Sequence, residues 1–311
     1  MLVLAVLLLF LALLGQGPAA REALRAVGFA SAAGSLAAVL VGLLASALVW
    51  RALLADLGTR LPLPPALHVF FLGQLGKYVP GTVVALAVQM ELGRAHGAAR
   101  SRTGTAGLLF MGVLVAAGLL VAGVALPLTS PAALDGYGWV LFALPLGLLG
   151  LAPPVLSRLV SVVLRVLRRG PLDRPLSWRG TAAALGWALV MWAAYGVHLH
   201  LLVRTQEVQP GPDLLLLSTG VYALAWTAGF LFVVAPAGAG VREVAVVVAL
   251  APVLDQASAL TVAALSRVLM TLGDLAWAGV GARCGKYGAG HRGSEVTNVT
   301  PIKQPGEAAE A

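Results

Sequence analysis

The sequence predicts an all-α polytopic membrane bundle of about eight spans. Three observations carry this. Hydrophobic residues make up 59% of the 311 residues, charged residues only 11%, and the mean hydropathy is +0.91, whereas ordinary soluble domains carry about 25% charged residues. The apolar residues come in runs long enough to cross a bilayer. The basic residues sit mainly in the short connections between those runs. A net charge of +8 would point to nucleic acid in a soluble chain; confined to loops, it reads as the positive-inside signal.

Hydropathy places the spans near 2–18, 29–50, 65–89, 104–128, 136–152, 181–203, 213–235 and 257–282. Met1–Leu14 is apolar but lacks the charged leader of a signal peptide. It is short for a span, so the first helix is either cut by the chosen start or continues toward Ala20. Residues 153–169 set Leu156, Leu159, Val160, Val163, Leu164 and Leu167 along one side and Arg158, Arg165, Arg168 and Arg169 largely elsewhere. That pattern suits a helix lying in the membrane interface. Val241–Leu254, 14 residues long, reads as a re-entrant or half-length helix. The expected organisation is a membrane domain over 1–283 and a disordered polar tail over 284–311. The single cysteine, Cys284, excludes an internal disulfide and a cysteine-based metal cluster.

Two segments break the pattern. Gly73–Gly81, GQLGKYVPG, puts Lys77, Tyr78 and a Pro-Gly pair inside an apolar run. Residues 235–240, APAGAG, precede Val241-Arg242-Glu243. In hydrocarbon, backbone groups freed by Pro or Gly need partners, and a buried cation needs a counter-charge. Broken segments at corresponding places in two halves point to a transporter site between inverted repeats; the alternative is two unrelated Gly-rich loops. Charge parity bears on the first break. The loops 51–60, 94–102 and 158–179 hold eleven arginines, and the loops 19–28, 129–135 and 204–212 hold three. All eleven share one side only if 65–89 turns back at Pro80-Gly81 and does not cross as a kinked span. The side of the tail depends on whether Val241–Leu254 crosses, which puts it inside, or returns, which puts it outside.

Gln74, Leu75, Gly76, Lys77, Tyr78, Pro80 and Gly81, followed by Pro236, Gly238, Gly240, Arg242 and Glu243 and a late Arg267, resemble the motifs of the lysylphosphatidylglycerol synthase transmembrane, flippase-like family. Ala237 stands where that pattern has a glycine. The resemblance covers residues 30–283 and implies translocation or presentation of a lipid. In two-domain relatives a soluble domain transfers an amino acid to phosphatidylglycerol; the short polar tail here leaves that activity no expected seat.

Intramembrane ionisable residues are functional candidates by default and are usually paired. The candidate head-group or phosphate site is Lys77, Tyr78, Gly76, Pro80, Gly81, Pro236, Gly238, Gly240, Arg242, Glu243 and Arg267. The glycines would bring backbone N–H groups near the anion. Glu243 and Asp274 are candidates for proton or ion coupling, and Glu91 is a further acid near membrane depth. Arg267 and Asp274, seven residues apart, share a helix face about two turns apart and are expected to face one cavity. The competing reading is structural: internal pairs Arg242–Asp274 or Lys77–Glu243. Tyr78 and Trp226 read as cavity walls or interfacial anchors, the latter being commoner. His198 and His200 point apart on a helix and read as interface polar residues; His68 is given no role. No phosphate loop, zinc-protease pair or nucleophile motif is present, so no catalytic residue, cofactor or metal is expected. Membrane lipid is the expected partner: an anionic phospholipid, an aminoacylated lipid or a polyprenyl-phosphate-linked sugar. A homodimer and a glycosyltransferase or lipid synthase encoded nearby are further candidates; nucleic acid is not. A membrane-embedded polyprenyl-phosphate-dependent glycosyltransferase and a non-transporting scaffold remain as alternative functions. The expected location is the bacterial cytoplasmic membrane.

Overall fold

The computed structural model describes residues 18–79, 84–129, 141–166, 175–206, 208, 213–232, 238 and 240–295, the side chains of 19–21, 143 and 286–295 excepted. The described residues form α1 (Pro18–Ala26), α2 (Phe29–Asp56), α3 (Leu63–Gln74) continued by a 3-10 turn over Leu75–Tyr78, α4 (Val84–Ala95) and α5 (Arg100–Ala125). There follow α6 (Ala143–Leu151), α7 (Pro153–Val166), α8 (Trp178–Val203), α9 (Leu214–Leu231), α10 (Val241–Leu250) and α11 (Gln256–Glu295). Among the described residues five helices are long and apolar enough to cross a membrane, or six if the bent pair α6–α7 counts as one span; the expected count was about eight. The difference lies in the run 2–18, most of which is outside the described residues, in 65–89, which is broken into α3 and α4, and in 136–152, whose described part is α6, bent sharply into α7. The expected boundary at 283 falls inside α11, which continues to Glu295.

The Ala-, Leu- and Val-rich runs form helices because their side chains carry no competing polar group and the backbone satisfies itself. Proline marks the entries. Pro64 and Pro65 occupy the first turn of α3, where the missing N–H costs nothing. The Pro153-Pro154 pair ends α6, and α7 leaves it at 81°. Leu156, Val160 and Leu164 on α7 are buried, while Leu159, Val163 and Val166 are exposed on the neighbouring face. This is the arrangement expected of a helix in the interface, with one apolar stripe on protein and another toward lipid.

The long helices α2 and α8 pack against each other over their whole length and run antiparallel. Ser35 bonds His198 near one end, Gly42 lies under the Tyr195 ring, and Asp56 accepts from Ser177 N at 2.8 Å at the other end. A side chain at Gly42 would collide with Tyr195, so the close approach requires glycine there. The Asp56 carboxylate also takes the Ser177 hydroxyl, which in turn caps α8 by accepting from Gly180 N at 2.9 Å. Asp56→Ala is therefore expected to cost about 2 kcal/mol, read as a lower unfolding midpoint in detergent.

Each of these two helices is followed by a broken hairpin and then another long helix. The contacts repeat in the same order: α3 packs on α4 and on α11, and α9 packs on α10 and on α5. Likewise α4 packs on α5, and α10 packs on α11. Because α2 and α8 are antiparallel, the two units are inverted with respect to each other, as the paired breaks anticipated.

The first broken segment is a hairpin. His68 and His96, near its two ends, stack edge to face at 5.2 Å, and Gly76 lies against the Ala85 backbone near its tip. Arg102 reaches Thr59 at 3.4 Å, and Ser177 reaches Asp56; the three Arg-rich loops thus share one side, as charge parity required. On the opposite side Asp213 N bonds Thr129 O at 3.1 Å. The second broken segment returns as well, since Arg242 on α10 comes back beside Trp226 and Gly229 on α9. α11 then crosses toward the Arg-rich side, where Gly281 O is 2.9 Å from His68 Nδ1. Residue 281 is therefore on the Arg-rich side; this corrects the expectation that a return puts the tail outside, because α9 and α10 make the return together and α11 starts on the side where α9 starts.

Candidate functional site

The tips of the two hairpins meet α11 at two places about two turns apart. On the first hairpin, the 3-10 turn tightens the end of α3 and carries Lys77 and Tyr78. Lys77 Nζ lies 2.7 Å from Asp274 Oδ2, and the Tyr78 hydroxyl donates to the same oxygen. On the second hairpin, Glu243 Oε2 accepts from Gly240 N at 2.6 Å, capping α10. Its other oxygen is 3.5 Å from Arg267 Nε. One helix thus holds both tips, by a carboxylate for the first and a guanidinium for the second.

These pairings differ from the internal pairs weighed from the sequence. Spacing along the chain fixes which residues share a helix face, but the partner is set by which hairpin tip reaches that face. Arg267 and Asp274 do share a face of α11, yet each contacts a different hairpin. Asp274 and Arg267 are buried, at 5% and 6% exposure, and Glu243 is buried at 8%. Lys77 is less so, with 30% of its side chain accessible, and Arg242 is half-buried. The acids lie deep and two cations lie at the accessible edge.

Arg242 packs over the Trp226 ring, with its guanidinium carbon 5.7 Å from the ring centroid. Its Nε makes no hydrogen bond. Trp226 stacks on Phe230 at 5.2 Å and meets Trp192 edge to face at 5.5 Å, so it is an interior platform and not an interfacial anchor. Tyr78 is half-buried with its hydroxyl tied to Asp274, so it too is not an interfacial anchor. Of the five charged residues around the tips, three are cations and two are acids, an excess of one positive charge.

The glycines have more local reasons than approach to an anion. A Cβ on Gly76 would sit 2.5 Å from the Ala85 backbone, so this glycine lets the hairpin close. Gly238 and Gly240 adopt φ of 68° and 88°, which L side chains rarely reach. The Gly240 N–H is already bonded to Glu243. Pro80, Gly81 and Pro236 lie outside the described residues, as does Ala237.

Glu91 belongs elsewhere. It is exposed and bridges Arg94, at 2.7 Å, and Arg100. Hydrogen bonds from Arg100, and then from Arg94, hold its carboxyl below the usual carboxylate range. Such an exposed bridge adds little to stability. Asp255, which caps α11 through Ala257 N at 2.8 Å and Ser258 N at 3.1 Å, is also held low, chiefly by the Ser258 hydroxyl.

Sequence reasoning placed His198 at the interface; the structure buries it fully in the core. An isolated histidine in an apolar helix gives no sign of its partners, which come from α2 and α11. Among the described residues no group of three or more His, Cys, Asp or Glu is arranged to hold a metal.

A search of curated proteins returned no match. A family profile for the lysylphosphatidylglycerol synthase transmembrane region matches residues 1–278, a range that takes in both broken hairpins and the crossing part of α11. The chain belongs to the lysylphosphatidylglycerol synthase transmembrane family.

Proposed function

We propose that this protein is a lipid flippase, moving an anionic or lipid-linked head group across the cytoplasmic membrane through the site where the two hairpin tips meet α11. The observation that carries this reading is the layering of charge. The accessible edge of the site is Lys77 and Arg242, with Asp274, Glu243 and Arg267 buried behind it. An edge of that kind favours a phosphate group, with arginine able to bind it bidentately and lysine acting as a point charge. Both cations sit on hairpins that enter from opposite sides, so a head group held between them is at the point where access changes sides in an inverted repeat.

In this reading the chain carries out no covalent chemistry of its own. Its partner is membrane lipid, and the positive-inside rule puts the Arg-rich loops in the cytoplasm. The family places the protein in membrane lipid biology, and the translocation step is the finer part of the proposal. A lipid-modifying glycosyltransferase would need a carboxylate poised to activate a hydroxyl. The two deep carboxylates are instead engaged with Lys77, Tyr78, Arg267 and Gly240.

The test is reconstitution in vesicles of phosphatidylethanolamine and phosphatidylglycerol carrying a trace of fluorescent phosphatidylglycerol. Lys77→Ala and Arg242→Ala are each expected to slow movement between leaflets by about tenfold or more, since each removes a charge-assisted contact. Wild-type rates in both folded variants would sink the proposal.

A further inference from the structure

Away from water, a ligand's ammonium is held by a carboxylate or by the face of an aromatic ring. Among the described residues the two hairpin tips present both kinds of group, and in each case a cation of the protein already occupies it. Asp274 has Lys77 Nζ at 2.7 Å and the Tyr78 hydroxyl on the same oxygen. Glu243 accepts from Gly240 N at 2.6 Å and lies 3.5 Å from Arg267 Nε. The Tyr78 ring has Lys77 Nζ over it, 5.3 Å from its centroid. The Trp226 ring has the Arg242 guanidinium carbon over it at 5.7 Å and also packs on Phe230 and Trp192. Lys77 thus takes up a carboxylate and a ring at once, and Arg242 takes up the other ring.

What remains accessible is positive. Lys77 keeps 30% of its side chain accessible, Arg242 is half-buried, and both acids are buried. An ammonium has three N–H donors and a guanidinium five. Asp274 draws on Lys77 from one side only, and Arg242 Nε makes no hydrogen bond, so both cations retain donors for a phosphate. An amine on the same head group meets these two cations and no unclaimed counter-charge. Two like charges about 5 Å apart, at an effective dielectric of about 20, repel by several times RT. That is enough to slow entry of an amine-bearing head group by about tenfold or more.

We infer that the central site selects anionic head groups that carry no amine, a phosphate or phosphodiester whose other polar groups are hydroxyls, and that Lys77 and Arg242 set this specificity. This rests on the translocation reading of the same site. Of the lipid classes left open by the sequence, it keeps the anionic glycerophospholipid and the sugar carried on a polyprenyl phosphate. It removes the aminoacylated lipid, and with it ethanolamine head groups. The wrong head group is refused because its charge stays unpaired, not because the right one makes additional contacts.

The test uses the full chain in phosphatidylcholine vesicles that carry a trace of one fluorescent probe at a time. Each probe is labelled on its acyl or prenyl chain, so that the head group is intact. Phosphatidylglycerol and a glucosyl phosphoryl polyprenol are the amine-free anionic probes. Phosphatidylethanolamine and lysyl-phosphatidylglycerol are the amine-bearing ones. Wild type is expected to move at least one anionic probe about tenfold or more faster than either amine-bearing probe; which anionic probe moves identifies the lipid that supplies the phosphate. Arg242→Gln opens the Trp226 ring, and Lys77→Gln opens Asp274 and the Tyr78 ring. Each is expected to slow the anionic probes and to bring the ratio of anionic to amine-bearing rates toward one. A purely structural role would slow all probes alike, so an unchanged ratio in a folded variant overturns that residue's part in specificity. The wild-type comparison needs no variant: an amine-bearing probe that moves as fast as both anionic ones overturns the selectivity, while translocation stands. No movement of any probe overturns both proposals.

Discussion

Replacing Asp274 with alanine is expected to destabilise the protein by about 3 kcal/mol and to abolish lipid movement. The Asp274 carboxylate holds Lys77 at 2.7 Å and accepts from Tyr78. Its removal leaves an ammonium and a hydroxyl at the hairpin tip without their partner. The cost of breaking a buried pair is largely the charge left behind, not the attraction lost. The lower end of the usual range applies because 30% of the Lys77 side chain remains accessible. The double variant Lys77→Met with Asp274→Leu separates the two effects. It is expected to recover most of the thermal stability, since an apolar pair of similar size carries no desolvation penalty, while lipid movement stays lost. Equal melting temperatures for Asp274→Ala and wild type in detergent would show that the pair does not hold the first hairpin to α11.

Gly76→Ala is expected to prevent the first hairpin from closing. The added methyl would lie 2.5 Å from both Ala85 Cα and Ala85 N. These are backbone atoms, which a rotamer change cannot move aside. Overpacking of this kind costs about 1–3 kcal/mol, with the upper end expected when both neighbours are main chain. Because Lys77 is the next residue, the shift also displaces it from Asp274. Gly186→Ala on α8 is the control: nothing lies within 4 Å of the added methyl, so the helix gains about 0.5–1 kcal/mol. Thermal melts of the two variants check both expectations. A Gly76→Ala protein as stable as wild type would mean that the hairpin accommodates a wider separation.

The motif GQLGKYVPG was legible as a break because its composition conflicts with its surroundings. Glycines, a lysine and a proline interrupt an apolar run, and the charge of the neighbouring loops demanded a return. Both signals are local or additive along the chain, and the hairpin agrees with them. The pairing of the charges was not legible. Lys77 meets Asp274 across 197 positions, and Glu243 meets Arg267 across 24; nothing in either residue's neighbours selects its partner. The same holds for His198, whose two hydrogen-bond partners and one ring contact come from three other helices. Trp226 misled for a related reason. A tryptophan near the end of an apolar run resembles an interfacial anchor, but the second hairpin folds Arg242 back over it.

By itself, the sequence determined that this chain is a multi-pass membrane protein with two broken segments, one side rich in arginine, and a handful of charges at membrane depth. Those properties follow from hydropathy, Pro and Gly placement and loop charge, which act residue by residue. Only the tertiary structure decided that the breaks are hairpin tips, that α11 holds one by Asp274 and the other by Arg267, and that Lys77 and Arg242 form the accessible edge. Those outcomes depend on the antiparallel packing of α2 on α8, which inverts one unit against the other and brings tips from opposite sides to the same helix. An ion pair in hydrocarbon is fixed by which side chains the fold brings within reach, and that is a property of the packed bundle, not of any single segment.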